Sequence, residues 1–136
     1  MIKKLKFWKR HDLLWADGTI FMTRYTLLKL KSFSLKIHRF RRGDEEIHDH
    51  PWPFVSLVVW RSYMEVTPQD AIKRGWLSLR YRPAQWAHKV CVEQGKDAWT
   101  ICATFGRARE WGFLSNGQWI QHDDYRRNNG RAKVTT

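Results

Sequence analysis

The stretch GDEEIHDHPWPFVSLVVW, residues 43–60, decides the fold and the candidate site. It places two histidines, His48 and His50, one residue apart and shortly before the apolar run FVSLVVW (54–60). That run is rich in β-branched residues and is typical of a buried β-strand. Side chains two residues apart in extended chain point to the same face, so we expect both imidazoles to reach one point.

Outside this stretch, period-two alternation of apolar and polar residues dominates the sequence, which is typical of half-buried strands. One apolar face is shared by Phe33, Leu35 and Ile37. The other segments of this kind are WLSLRYR (76–82), WAHKVCV (86–92), AWTICATF (98–105), EWGFL (110–114) and GQWIQ (117–121), the last two separated by an SNG turn.

Helical patterns are scarce. Only PQDAIKR (68–74) and the first ten residues have a pattern compatible with a helix, and the segment from residue 126 onward is expected to be a loose basic tail. Short strands separated by turns predict an all-β sandwich or barrel. We expect residues 1–136 to form a single domain with its core at about 12–122 and a basic segment at each end.

The composition indicates a globular protein that attracts anions. The chain has 136 residues and a formal net charge of +12. The basic residues cluster at 3–10, 38–42 and 126–133. Such clusters either form an ordinary solvated surface or contact a polyanion, so nucleic acid and nucleotides are possible partners through these basic segments.

The cysteines and the N-terminal segment bear on location. Cys91 and Cys102 are too few for a disulfide framework, and we expect both to be small buried groups. The basic N-terminal segment lacks the apolar stretch of a signal peptide, and no apolar run reaches the roughly 20 residues that span a bilayer. We therefore expect a cytoplasmic protein with no membrane partner.

A third histidine, His88, lies in the segment RPAQWAHKV, about forty residues after the pair. The chain between them is long enough for two or three strands that could return His88 opposite His48 and His50. Three converging neutral imidazoles are typical of a site for Fe(II), Zn(II), Ni(II) or Mn(II). Three protein ligands leave coordination positions open for water or substrate, which is the pattern of a catalytic metal site.

These segments resemble the two sequence motifs of the cupin superfamily. Gly43, His48 and His50 match the first motif, with the spacer one residue short, and Pro83 and His88 match the second. The resemblance extends over residues 43–92 and, with the following strands, to about 113. It implies a double-stranded β-helix, or jelly-roll barrel, with little helix. The overall pattern also looks like that of small single-domain cupins of tailed-phage type, which implies a host cytoplasm.

The sequence departs from the family motifs where the fourth ligand, a glutamate, is expected. That position falls on Phe54 or Val55. The resemblance therefore implies a three-histidine site similar to that of cupin thiol dioxygenases, with Fe(II) favoured. Glu65 is a possible substitute carboxylate. Asp49, Glu45 and Glu46 are possible hydrogen-bond partners of the ligand rings.

Other residues are placed by their strands near the predicted site. Tyr63, Tyr81 and Arg80 are candidates for catalytic roles at the mouth of the barrel. Arg80 or Arg82, pointing inward, would bind a carboxylate or phosphate of a small anionic substrate.

Three functions compete at this stage. The first is a metal-dependent cupin enzyme, oxygenase-like or isomerase-like, that acts on a small anionic molecule. The second is a metal-free cupin epimerase or isomerase, with His48 or His88 as the base and a tyrosine as the acid. The third is a non-catalytic module of phage type that binds a nucleotide or nucleic acid. A homodimer is possible in each case.

Overall fold

The computed structural model describes residues 9–15, 17–44 and 46–128. Within these ranges the chain forms short strands and, at its end, one helix. The strands are β1 (Lys9–Leu14), β2 (Ile20–Leu30), β3 (Phe33–Phe40), β4 (Ile47–His48), β5 (Phe54–Trp60), β6 (Tyr63–Val66), β7 (Ala71–Arg74), β8 (Leu79–Arg82), β9 (Lys89–Cys91), β10 (Ala98–Phe105), β11 (Gly112–Ser115) and β12 (Gln118–Gln121). The helix α1 spans His122–Asn128.

The strands form one large and two small antiparallel sheets. The six-stranded sheet has the order β1-β2-β3-β10-β5-β8, and the three-stranded sheets have the orders β12-β11-β4 and β7-β6-β9. An isolated bridge between His48 of β4 and His88, next to β9, connects the two small sheets, and a second bridge joins Gly43, after β3, to Cys91 of β9. The small sheets thus form a second layer, and the all-β fold with little helix is confirmed.

The apolar core joins the two layers. It consists of Leu13, Met22, Phe40, Val58 and Ala98 from the six-stranded sheet and Tyr63 and Val90 from the β7-β6-β9 sheet. Burial of these side chains supplies the main stabilisation of the barrel. At Gly43 the backbone φ is +90°, and a Cβ would collide with the carbonyl of Val90, so only glycine fits this close approach of the two layers.

The six-stranded sheet turns a largely polar face toward the interior. On β3, Ser34 and Lys36 are buried, whereas the apolar residues Leu35 and Ile37 are half-buried on the opposite, outer face. The predicted alternation of polar and apolar residues is therefore present on β3. On this strand, however, the polar side chains face the interior and the apolar side chains face outward.

Strand β10 repeats this arrangement. Thr100, Cys102 and Thr104 are buried, while Ile101 and Phe105 are each more than one third exposed. Thr104 and Ser34 are cross-strand partners, and their hydroxyls form a short hydrogen bond inside the barrel. Inward-pointing polar side chains thus find partners within the sheet.

Two sequence-based expectations about helices are wrong. Residues 71–74 are not helical but form β7, which pairs with β6. Lys9 and Arg10 belong to β1, whereas residues 1–8 lie outside the described residues. The alternation of four residues is too short to separate strand from helix, and pairing with a neighbouring strand decides it.

The expected loose tail is wrong for residues 126–128, which belong to α1, while residues 129–136 lie outside the described part of the chain. The side-chain oxygen of Gln121 accepts hydrogen bonds from the backbone N–H groups of Asp123 and Asp124 and so caps the first turn. The buried ring of Tyr125 stacks on Phe113 of β11. This docking is a tertiary contact, so the local sequence does not reveal the helix.

The hairpin β11–β12 is confirmed, with Asn116 and Gly117 at positive φ in its two-residue turn. Cys91 and Cys102 are free thiols, Cys102 buried and Cys91 half-buried. None of the helical structure in the described ranges combines the length and apolar character needed to cross a membrane.

The basic clusters are only partly described. In the cluster at 38–42, Arg39 pairs with Asp97 and Arg42 lies over the ring of Trp15. Residues 3–8 and 129–133, which carry five of the nine cationic residues of the two terminal clusters, lie outside the described residues. Binding of nucleic acid or a nucleotide through these segments stays a prediction.

Candidate metal centre

The three histidines meet where the two small sheets join. His48 ends β4, and its backbone exchanges two hydrogen bonds with that of His88, of 2.9 and 3.0 Å. The backbone N–H of His50 donates to the carbonyl of Ala84, at 2.9 Å. Residues directly opposite on antiparallel chains have neighbouring side chains, which brings the distant His88 beside the pair.

The three rings converge on one point. Their centroids are 5.0 Å apart for His48 and His50, 5.5 Å for His48 and His88, and 5.0 Å for His50 and His88. One nitrogen from each ring lies within 4.8 Å of the corresponding nitrogens of the other two. Aromatic rings border the cluster, with Phe54 against His50 and Phe113 near His48.

Glu65 fixes the orientation of His88. The Nδ1–H of His88 donates to Oε2 of Glu65 at 2.7 Å, so Nε2 is the nitrogen left for another partner. Oε1 of Glu65 accepts from Arg74 at 3.0 Å and from Arg82 at 2.7 Å. Burial opposes ionisation of this carboxyl, but the hydrogen bonds from His88 and Arg82 outweigh it and hold the Glu65 pKa well below its usual range.

His48 is oriented by backbone. Its Nδ1–H donates to the carbonyl oxygen of Glu46 at 3.1 Å, which again leaves Nε2 free. Burial lowers the pKa of both His48 and His50, and the neighbouring imidazoles lower it further for His50. Both rings are therefore neutral at pH 7, the form that binds a metal ion.

Several predicted contacts of the site need correction. Glu65 is not a substitute ligand, because both of its oxygens are engaged by His88 and by arginines. Asp49 does not hold a ligand ring: it accepts from the backbone N–H of Gly112 and the indole of Trp119. Glu46 contributes its backbone carbonyl to His48.

Glu45, also predicted as a ring partner, lies outside the described residues. Sequence reasoning missed that Glu65 orients His88. Its signal was weak: an acid two residues from an apolar strand residue, Tyr63, on the same face.

A cavity of about 470 Å³ adjoins the three histidines. Tyr63, Arg80 and Arg82 line it, as the sequence predicted. Tyr63 is buried, and burial together with the charge of Glu65 raises its pKa to about 12, so its phenol stays protonated. Tyr81 is 60% exposed on the outer face of β8, so its predicted place at the mouth of the barrel is wrong.

The donor set fits a divalent transition metal. Three imidazoles, two of them with fixed ring orientations, form an incomplete coordination sphere for Fe(II), Zn(II), Ni(II) or Mn(II). Each of the two known hydrogen bonds from Nδ1 is of the kind that orients metal-binding histidines. This is the only group of three or more potential ligands found within the described ranges.

No family model matches the chain, and no curated protein matches it. Solved structures do resemble it. The polyketide cyclase RemF from Streptomyces resistomycificus aligns over 95% of this chain and 94% of its own, with a TM-score of 0.70 and 16% identity. A cupin superfamily protein from Desulfitobacterium hafniense covers 62% of this chain and 77% of its own, with a TM-score of 0.54 and 10% identity.

The Fe(II) form of HppE aligns over 77% of this chain and 60% of its own, with a TM-score of 0.60 and 10% identity. At identities this low, the structural similarity establishes the fold and leaves the activity open. The closeness to phage cupins stays a prediction. The two facing layers of antiparallel strands and these similarities together show that the chain has the jelly-roll fold of the cupin superfamily.

Proposed function

We propose that this protein is a metal-dependent enzyme that binds a divalent ion through His48, His50 and His88 and acts on a small anionic molecule in the adjoining cavity. The observation that carries the proposal is the convergence of three imidazoles at the wall of a cavity of about 470 Å³. Fe(II) is favoured by the similarity to HppE, which was solved in an Fe(II) form, and the all-nitrogen donor set is compatible with Fe(II) as well as with Zn(II) or Ni(II).

A bound divalent ion supplies Lewis-acid or redox chemistry to a substrate in its open coordination positions. The protein's own residues prepare that position. Glu65 keeps the proton of His88 on Nδ1 and so holds Nε2 toward the cluster. Phe54 and Phe113 border the rings and limit access of water, which strengthens electrostatic interactions with a bound anion.

Two cavity residues are suited to the substrate. Arg80 lines the cavity and makes no ion pair with any described residue, so its guanidinium is free to bind a carboxylate or phosphate. The phenol of Tyr63 stays protonated at neutral pH and is able to donate a hydrogen bond or a proton. We propose a reaction of the oxygenase or isomerase type, with Tyr63 as the candidate acid.

Metal analysis of purified protein tests the proposal. We expect about one divalent ion per chain in the wild type and in His11→Ala, whose ring lies on β1 away from the cluster. His88→Ala and His50→Ala should each hold almost none. Circular dichroism of each variant separates loss of the site from loss of the fold.

One specific observation supports a metal-free alternative. His88 and Glu65, 2.7 Å apart, form the kind of base-and-carboxylate pair that a metal-free epimerase or isomerase uses. Wild-type protein purified without chelator and without stoichiometric metal would favour this alternative and contradict the proposal.

A further inference from the structure

Two cations lie side by side on the inner face of the six-stranded sheet. Arg24 of β2 is paired with His38 of β3, and Lys36, two residues before His38, is paired with Thr26 of β2. Cross-strand partners and residues two apart share one face of a sheet, so Arg24 and Lys36 are diagonal neighbours that point into the barrel. Both line the same cavity as the three histidines.

No carboxylate of the described residues neutralises either cation. Lys36 is only 7% exposed, and Nε of Arg24 is inaccessible and without a hydrogen-bond partner among the described residues. Neither makes an ion pair with a carboxylate in the described ranges, whereas the cavity arginine Arg82 is neutralised by Glu65. The Lys36 ammonium lies over the ring of Trp52, with its Nζ 4.3 Å from the ring centroid.

Two unpaired cations inside a barrel are costly to the fold. A buried charge without a counterion loses its hydration and gains no partner. Burial first, and then the charge of Arg24, lower the pKa of Lys36 to about 8. The cost would be offset by an anion placed between the two side chains.

The cation pair of Arg24 and Lys36 lies in the same cavity as the histidine cluster. His38 lies next to Arg24 in the sheet and carries a buried ring nitrogen, Nε2, without a partner among the described residues. Its ring lines the same cavity as His50, one of the three clustered histidines. His38 therefore connects the cation pair to the cluster across one continuous cavity.

We propose that Arg24 and Lys36 form an anion-binding subsite that holds a phosphate or carboxylate group of the substrate while the rest of the molecule reaches the histidine cluster. This inference rests on the proposed function for the identity of the bound molecule as a substrate. It narrows the substrate class to molecules with a strongly acidic group at one end and the reacting group at the other. Arg80 lies in the same cross-strand row as Lys36, through Cys102 and Ser56, and completes the subsite.

Binding of inorganic phosphate and of succinate, measured by isothermal titration calorimetry at constant ionic strength, tests the subsite and separates phosphate from carboxylate recognition. The protein is treated with chelator first, so that the result does not depend on a metal. We expect Lys36→Met and Arg24→Gln each to weaken binding of the preferred probe about ten- to hundredfold, because each loses a charge-assisted hydrogen bond.

Lys73→Met, which removes an exposed cation of β7 outside the cavity, is the matched control and should change the affinity less than twofold. Lys36→Met removes a buried charge, so this variant should fold at least as stably as the wild type. Unchanged affinity in the two cavity variants, or equal weakening in Lys73→Met, would overturn the subsite. If the proposed function fails but the subsite is real, the purified protein contains no stoichiometric metal and still binds phosphate or succinate as expected.

Discussion

The two faces of the six-stranded sheet differ in what they carry beyond the apolar core: the inner face adds buried polar and charged side chains, whereas the outer face carries partly exposed apolar ones. The outer face carries cross-strand rows of apolar residues, such as Tyr25, Ile37, Ile101, Leu57 and Leu79. Leu79 is 60% exposed and Ile101 is 37% exposed.

The inner face carries Arg24, His38 and Thr100 in one row and Lys36 and Cys102 in the next. A sheet that lines a ligand cavity points its polar side chains into that cavity. Because side chains alternate along a strand, the apolar residues between them then lie on the outer face. Alternation therefore identifies a strand, but it does not say which face is the interior.

The largest effect on stability is expected from breaking the ion-pair network around Glu65, which neutralises buried cations inside the barrel. Glu65→Ala leaves Arg74, Arg82 and the Nδ1–H of His88 without their common acceptor. Removing one partner from a buried ion network costs about 3–5 kcal/mol, which urea denaturation measures. Glu93→Ala, at an exposed pair with Lys96, should leave the free energy of unfolding nearly unchanged. Equal losses in the two variants would show that the interior does not depend on Glu65.

A smaller effect is expected from pH. The pKa of His38 lies well below its usual value because the ring is buried and because Arg24 and Lys36 repel a proton, and the pKa values of His48 and His50 are also lowered. The unfolded chain binds these protons at about pH 6.5 and the folded chain does not. The stability that these neutral rings contribute is therefore fully present above pH 6.5 and declines as the pH falls below it.

Urea midpoints of metal-free protein between pH 8 and pH 5 measure this loss. His38→Gln should flatten the decline, since one histidine no longer titrates between the two states. A midpoint that stays constant down to pH 5 would contradict the neutral, buried state of these rings.

The smallest effect on stability is expected on the outer face. Ile101→Lys, between Ile37 and Leu57, should cost about 1 kcal/mol or less, because the residue is already partly exposed. The same change should abolish self-association. Large exposed apolar patches mark interaction surfaces, so this row of apolar residues is where we expect two copies of a chain with a net charge of +12 to approach.

Sedimentation velocity measures this association. We expect a dimer for the wild type and a monomer for Ile101→Lys. Met64→Lys changes an exposed apolar residue of β6, outside the six-stranded sheet, and should leave the dimer intact. A monomeric wild type would contradict our expectation that the outer face of the six-stranded sheet mediates a homodimer.

Much of the site could be predicted, because its members are polar residues with a short-range signal. The HxH spacing placed His48 and His50 on one face, and the structure brings His88 to them. The role of Glu65 could not be predicted, because its partners Arg74 and Arg82 come from two other strands. The subsite residue Arg24 lies on a strand whose facing residues only the register reveals.

The sequence by itself determined the strand-rich class of the fold, the hairpin at residues 112–121 and the pairing of two histidines on one face. Each depends on local periodicity or on turn chemistry, which the order of residues contains directly. Only the tertiary structure decided which face of the large sheet is interior, that residues 71–74 pair as a strand, and that residues 122–128 dock as a helix. Those outcomes depend on contacts between segments far apart in the chain, where packing outweighs local preference.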